Sequence, residues 1–220
     1  MLILLIWNII VSTDKNHLLQ NPKLCRVAAV LIDIGSVLLY NYIGDNMKIT
    51  TERLTLVPIS PDFLESACEY AMSRENARLM VYLPKTSRDE VAEFLRNAER
   101  EWQKTRPDFC EFAVLLGNEH IGGMTMYFEG DYTRGELGWI IRRDCWGHGY
   151  AAEAAKGMME EFRRTMGLER FIAHCDSENK ASKRVMEKLG MRYVETHGGR
   201  FNRLTEGERS ECLYEIIFKE

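Results

Sequence analysis

The sequence has no Cys-x-x-Cys pair, and no cysteines and histidines fall at zinc-binding spacing. A redox dithiol and a zinc finger are thereby excluded, and no metal is expected. The six cysteines, Cys25, Cys68, Cys110, Cys145, Cys175 and Cys212, are scattered, as reduced thiols of a cytoplasmic protein would be. Cys145 reads as a small apolar filler, with an exposed reactive thiol as the alternative. Basic residues never gather in a run, and the net charge is −4, so no nucleic acid partner is expected. Repeats and low-complexity segments are absent. No Gly-x-x-x-x-Gly-Lys-Ser/Thr motif occurs, which excludes a Walker nucleotide site.

Long apolar runs are missing too. Residues 2–11 are too short to span a bilayer. They lack preceding basic residues, and no clear cleavage site follows. Residues 27–43 form a second apolar run, interrupted by Asp33, whose burial in lipid is costly. No stable membrane insertion is expected; membrane association of both runs is the alternative. Met47 follows at once, and a well-patterned region begins after it. We expect residues 1–46 to be a non-native or mis-started extension, poorly ordered or loosely packed, and 47–220 to be one domain. What is present suits a globular chain: 220 residues, 45% hydrophobic and 28% charged.

Alternation predicts a strand over 49–58. Ser60 and Pro61 start a helix as N-cap and first residue. A short helix is expected over 76–82. Ser87 with Glu90 forms a capping-box pattern ahead of a third helix. Three strands follow, over 111–116, 120–128 and 134–141, joined by short turns and hence antiparallel. A helix over 150–166 ends at Gly167, and one over 179–189 at Gly190. Strands over 168–175, 191–196 and 212–219 complete the pattern, with a loop over 198–210. Hairpins followed by helical crossovers give a mixed α/β (α+β) fold: a mostly antiparallel sheet of about seven strands, with helices on both faces.

The stretch 136–153 organises the chain. It reads as a strand, a turn holding Gly147 and Gly149, and a helix start. Such a junction offers backbone N–H groups and the positive end of a helix dipole to an anion, most often a phosphate. Gly147-x-Gly149-x-x-Ala152 also fits a dinucleotide fingerprint, with Asp176 at the distance of a ribose-binding acid. However, the preceding strand is the third of an antiparallel set, and too few βα units follow.

Trp146-Gly147-His148-Gly149-Tyr150-Ala151 is similar to the pyrophosphate loop of the GNAT acetyltransferase superfamily, Gln/Arg-x-x-Gly-x-Gly/Ala, with Trp146 in place of the Gln/Arg. Trp followed by Gly-x-Gly-Tyr-Ala-x-Glu-Ala resembles the Rim-type, ribosomal-protein N-acetyltransferase branch. Thr51-Glu52-Arg53-Leu54 looks like that branch's opening strand, and Glu136-Leu137-Gly138-Trp139 like its fourth. Asn179-x-x-Ser182, followed by Lys188-Leu189-Gly190-Met191, looks like its second motif. The resemblance covers 47–219.

The resemblance implies the GNAT fold, splayed between strands four and five, and direct acetyl transfer from acetyl-CoA to an amine through a ternary complex. It places the pyrophosphate on Trp146, Gly147, His148, Gly149, Tyr150 and Ala151. It places the pantetheine on the backbone of Ile140, Ile141 and Arg142, and on Asn179 and Ser182. Gly138 is expected to bulge where the splay begins. Glu136 is the candidate base, with a structural carboxylate as the alternative; Asn179 doubles as a helix N-cap. His148 and His174 are lesser base candidates. Many members carry a tyrosine acid where this chain has Met186, which shifts the thiolate to Ser182 or water. The acceptor is a peptide N-terminus or a small-molecule amine, bordered by the early helices and the 198–210 loop. A homodimer is compatible with the sequence. The contrasting reading is a CoA-binding regulatory module with little catalysis.

Overall fold

The computed structural model describes residues 47–80, 84–130, 132–201 and 207–218. The extension expected over 1–46 lies outside them. Residues 48–102 and those from 107 onward form one compact unit.

The unit is built on an eight-stranded sheet in the order β1-β2-β3-β4-β5-β6-β8-β7. The strands are β1 (Ile49–Thr50), β2 (Leu54–Pro58), β3 (Phe109–Leu116), β4 (Glu119–Glu129), β5 (Arg134–Ile141), β6 (Arg170–Asp176), β7 (Arg192–Phe201) and β8 (Glu208–Ile217). The helices are α1 (Leu64–Ala71), α2 (Arg74–Ala77), α3 (Arg88–Trp102), α4 (Tyr150–Met166) and α5 (Lys180–Lys188). All pairings are antiparallel except β5–β6.

Eight strands replace the expected seven because 49–58 is two strands. The Thr51 amide donates to the Leu54 carbonyl and its hydroxyl oxygen accepts from the Leu54 amide, and this turn folds β1 back on β2, pairing Ile49 with Leu56. The expected helix over 76–82 starts earlier, because Ser73 caps Asn76, and covers Arg74–Ala77; residues 81–83 lie outside the described set. Of the expected 198–210 loop, 198–201 belong to β7 and 208–210 to β8, and 202–206 lie outside the described residues. The Gly199 amide bonds Glu208 Oε1, and the β7–β8 ladder runs out to Phe201 opposite Glu208.

Two layers of helix cover the sheet. On one face, α1 and α3 bury Ala67, Tyr70, Val91, Leu95 and Ala98 against Ala113 of β3. On the other, the Phe162 ring of α4 packs edge-on to Phe112 and Phe128. Phe162 is fully buried, and truncating such a ring costs about 3–5 kcal/mol. Gly157, in mid-helix, is explained by close approach: a Cβ there would meet the Thr51 side chain at 2.7 Å. These contacts hold α4 against β3, β4 and the β1–β2 turn.

The splay is where expected. β5 and β6 pair only at Gly135–Phe171 and Glu136–Ile172, then separate. No bulge occurs at Gly138: the β4–β5 register is unbroken from Gly122–Ile141 to Glu129–Arg134. A Cβ at Gly138 would make ordinary contacts with Thr125 and Tyr127. Along its other edge β6 stays paired with β8, through His174–Leu213 and Asp176–Glu211.

Candidate active site

The open end of the splay is a cleft of about 1140 Å³, bounded by Trp139–Ile141 of β5 and the segments opening α4, α5 and α2. Its floor is a backbone edge. The Arg142 amide donates to the Ile121 carbonyl across the β4–β5 ladder. Alternation therefore turns the backbone groups of Leu137, Trp139 and Ile141 towards the splay. The Ile141 carbonyl is already engaged there, accepting from Asn76 Nδ2 at 2.8 Å and from Trp146 Nε1 at 2.6 Å.

The anion cradle sits at the start of α4. Gly147 and Gly149 both take φ of +83°, a conformation that carries no penalty only for glycine. A Cβ on Gly147 would meet nothing within 4 Å, and one on Gly149 only Arg53 at 3.8 Å. The space above the turn is thus open to a ligand. The first α4 bond is Glu153 N–H to the Gly149 carbonyl, and no side chain caps this end. The amides of Tyr150, Ala151 and Ala152 therefore precede the helical ladder.

A clamp holds the cradle in place. Glu153 accepts hydrogen bonds from the Thr51 hydroxyl at 2.6 Å, the Arg53 amide at 2.8 Å and Arg53 Nε at 2.7 Å. Arg53 Nη1 reaches the His148 carbonyl at 3.2 Å, and its guanidinium lies 4.6 Å over the Tyr150 ring. Burial pushes the Glu153 carboxyl up, but the bonds from Thr51 and Arg53 outweigh it and hold it below its ordinary value.

Asn179 and Ser182 line the opposite wall. Asn179 caps α5, its Oδ1 accepting from the Ser182 amide at 3.0 Å. Lys180, Arg184 and Lys188 follow at four-residue spacing and also line the cleft, as do Arg74 and Arg78. The spacing of the α5 cations is visible in the sequence; their convergence with α2 is not. Met186 is fully buried and packs into the core.

Of the sequence-selected residues, Ile140, Ile141, Trp146, Gly147, Gly149, Tyr150, Ala151, Asn179 and Ser182 meet around the cleft. Arg142, His148, Glu136 and His174 do not line it. The Arg142 guanidinium binds Glu69, Glu119 and Asp144. The His148 ring stacks on Tyr150. Glu136 lies at the last β5–β6 pair, where Oε1 accepts from His174 Nδ1 at 2.9 Å. The Trp146 amide is committed to the Arg143 carbonyl, so Trp146 contributes wall, not a free donor. Asp176 is fully buried and paired with Arg209, a structural ion pair. Sequence reasoning missed Asn76 and the Glu153 clamp, whose partners lie far apart in the chain.

An open amide turn, a strand edge that β6 leaves beyond Glu136 and a cationic rim thus meet in one cleft. The family follows from comparison. The model of the acetyltransferase (GNAT) domain matches residues 53–192, and the chain belongs to this family; it is an acyltransferase enzyme. The uncharacterized N-acetyltransferase YnaD of Bacillus subtilis (strain 168) is 34% identical over 150 residues, 66% of this chain and 83% of that protein. The crystal structure of a GNAT-family acetyltransferase from Bacillus anthracis superposes with a TM-score of 0.67 at 25% identity, over 78% of this chain and 98% of that one. RimL, a ribosomal L7/L12 alpha-N-protein acetyltransferase solved with coenzyme A, superposes with a TM-score of 0.66, over 77% and 97%. At 16% identity that is a likeness of fold.

Proposed function

We propose that the protein transfers an acetyl group from acetyl-CoA directly to a primary amine, in the cytoplasm. The observation that carries the reading is the uncapped amide cradle at Gly147–Ala152 sharing one cleft with Asn179 and Ser182 at the β5–β6 opening. Bound acetyl-CoA supplies a thioester to be attacked. The cradle amides and the cations on α5 and α2 hold its phosphates. The outward groups of Trp139 and the Ile141 amide pair with its amide-bearing arm and supply a donor to the developing oxyanion.

The acceptor enters as an ammonium, with pKa about 8 for an α-amine or about 10 for lysine, and must lose a proton before attack. Glu136, set back from the cleft, takes it through water, with its carboxylate oriented by His174 Nδ1–H. Ser182 Oγ donates to the departing thiolate, since Met186 has no proton to give. Asn179 keeps Ser182 in place by capping α5. The RimL likeness makes a peptide N-terminus the first acceptor to try, ahead of small amines.

The test is thiol release from acetyl-CoA across a panel of N-terminal peptides and small amines. Turnover with one class names the acceptor. The buried Met186 favours a second reading, a CoA-binding module with little catalysis. Tight acetyl-CoA binding with no turnover on any amine would establish that reading instead.

A further inference from the structure

Three neighbouring strands each present one ligating side chain to the same face of the sheet. His174 comes from β6, Glu211 from β8 and His197 from β7. His197 is directly opposite Glu211, while His174 is opposite Leu213, two residues along the same face. One ligand-capable atom of each lies within 4.8 Å of the other two. His197 Nε2 is 3.9 Å from Glu211 Oε2.

Both imidazoles are already oriented through their other nitrogen. His174 Nδ1 bonds the Glu136 carboxylate at 2.9 Å, and His197 Nδ1 bonds the Gly198 carbonyl at 3.1 Å. A carboxylate and a carbonyl only accept, so each Nδ1 carries the proton and each Nε2 offers a lone pair. Metal-binding histidines are held in this way, by a carboxylate or a backbone carbonyl behind the ring. Two neutral imidazoles and one carboxylate form the donor set of a three-ligand zinc site, in which a fourth position stays open.

We propose that His174, His197 and Glu211 bind one divalent ion of the zinc class, with its open position on the sheet face that carries Glu136. Glu136 then acts behind the ion, as the group that orients His174. The ligand positions, 174, 197 and 211, have no local spacing, which is why the sequence gives no sign of a metal. The proposal does not rest on acetyl transfer, although it shares His174 and Glu136 with the proposed base, and binding is measured directly.

The experiment uses the full chain stripped of metal and titrated with zinc against a chromophoric chelator. Cobalt(II) in a parallel titration reports tetrahedral nitrogen and oxygen ligation by its absorption. The expected result is one equivalent per chain, with affinity lowered at least about tenfold in His197→Ala and in the isosteric Glu211→Gln. Glu136→Ala is expected to weaken binding by about 10–100-fold through loss of the orienting carboxylate. Circular dichroism confirms that each variant is folded. No stoichiometric binding, or an equivalent that persists unchanged in both His197→Ala and Glu211→Gln, overturns the proposal.

Discussion

Glu153, in the first turn of α4, binds Arg53 one hundred residues earlier in the chain, through both the backbone amide and the guanidinium. The pair ties the β1–β2 turn to the phosphate cradle, because the same guanidinium holds the His148 carbonyl. Losing one charge-assisted hydrogen bond is worth about a factor of ten or more in binding. Arg53→Ala is therefore expected to raise the KM for acetyl-CoA about tenfold, with a smaller effect on kcat. Steady-state kinetics with acetyl-CoA varied would show it; an unchanged KM would remove Arg53 from the cradle.

The Glu153 carboxyl is held below its usual range. A depressed carboxylate contributes stability that is fully present above its unfolded-state pKa and is lost as pH falls through the folded value. Stability of the wild type is expected to decline below about pH 4.5, the ordinary glutamate range. Glu153→Gln should start lower and lose less over that interval. Denaturant midpoints at stepped acidic pH provide the comparison.

Glu111 behaves in the opposite sense. Burial raises its carboxyl to about 7, against the lowering effect of the Thr125 hydroxyl. For a raised group, the favourable contribution is present below the unfolded pKa and disappears as pH rises through the folded one. Between about pH 4.5 and 7, Glu111 is expected to draw stability down. Glu111→Gln, which keeps an acceptor for Thr125, should flatten that slope and be the more stable protein at pH 8. An identical slope in the variant would assign the effect elsewhere.

Gly149 is at φ +83° with open space around it. An alanine there is strained without clashing, at a cost of about 1–2 kcal/mol. Gly149→Ala should lower Tm by about 2–8 °C and weaken acetyl-CoA binding by displacing the Tyr150 and Ala151 amides. Scanning calorimetry and ligand titration measure the two effects separately.

Ser182 and Asn179 should separate in the same way. The cap is made by the Ser182 amide, not its hydroxyl, so Ser182→Ala is expected to keep its Tm and lose at least tenfold in kcat. Asn179→Ala loses the cap, at about 1 kcal/mol, and should show lower Tm together with lower activity. A full-speed Ser182→Ala would leave water as the only proton source for the thiolate.

Local chemistry made much of this molecule legible in advance. Gly167 and Gly190 end their helices with positive φ, Asn179 caps α5, and β5 spans the interval its alternation indicates. These features depend on neighbouring residues. The features that escaped depend on distant ones. The break between β1 and β2 is made at Thr51, whose hydroxyl accepts from the Leu54 amide and donates to Glu153. The capping box slipped by one residue: Ser87 caps Glu90 as expected, but the Glu90 carboxylate turns back to Thr86. Asn76 reaches Ile141 across 65 positions, and no periodicity announces such a contact. The Glu136–His174 pair likewise exists only because β5 and β6 run parallel for two residues before parting.

β8 enters the sheet between β6 and β7, although it follows both in sequence. Until residues 208–217 have been synthesised and have left the ribosome, β6 has only its short contact with β5, and β7 has no neighbour. The opening between β5 and β6 is therefore preceded, during synthesis, by a second open edge that β8 fills. A chain truncated before Glu208 should be recovered with chaperones or in aggregates, even though residues 136–153 are intact.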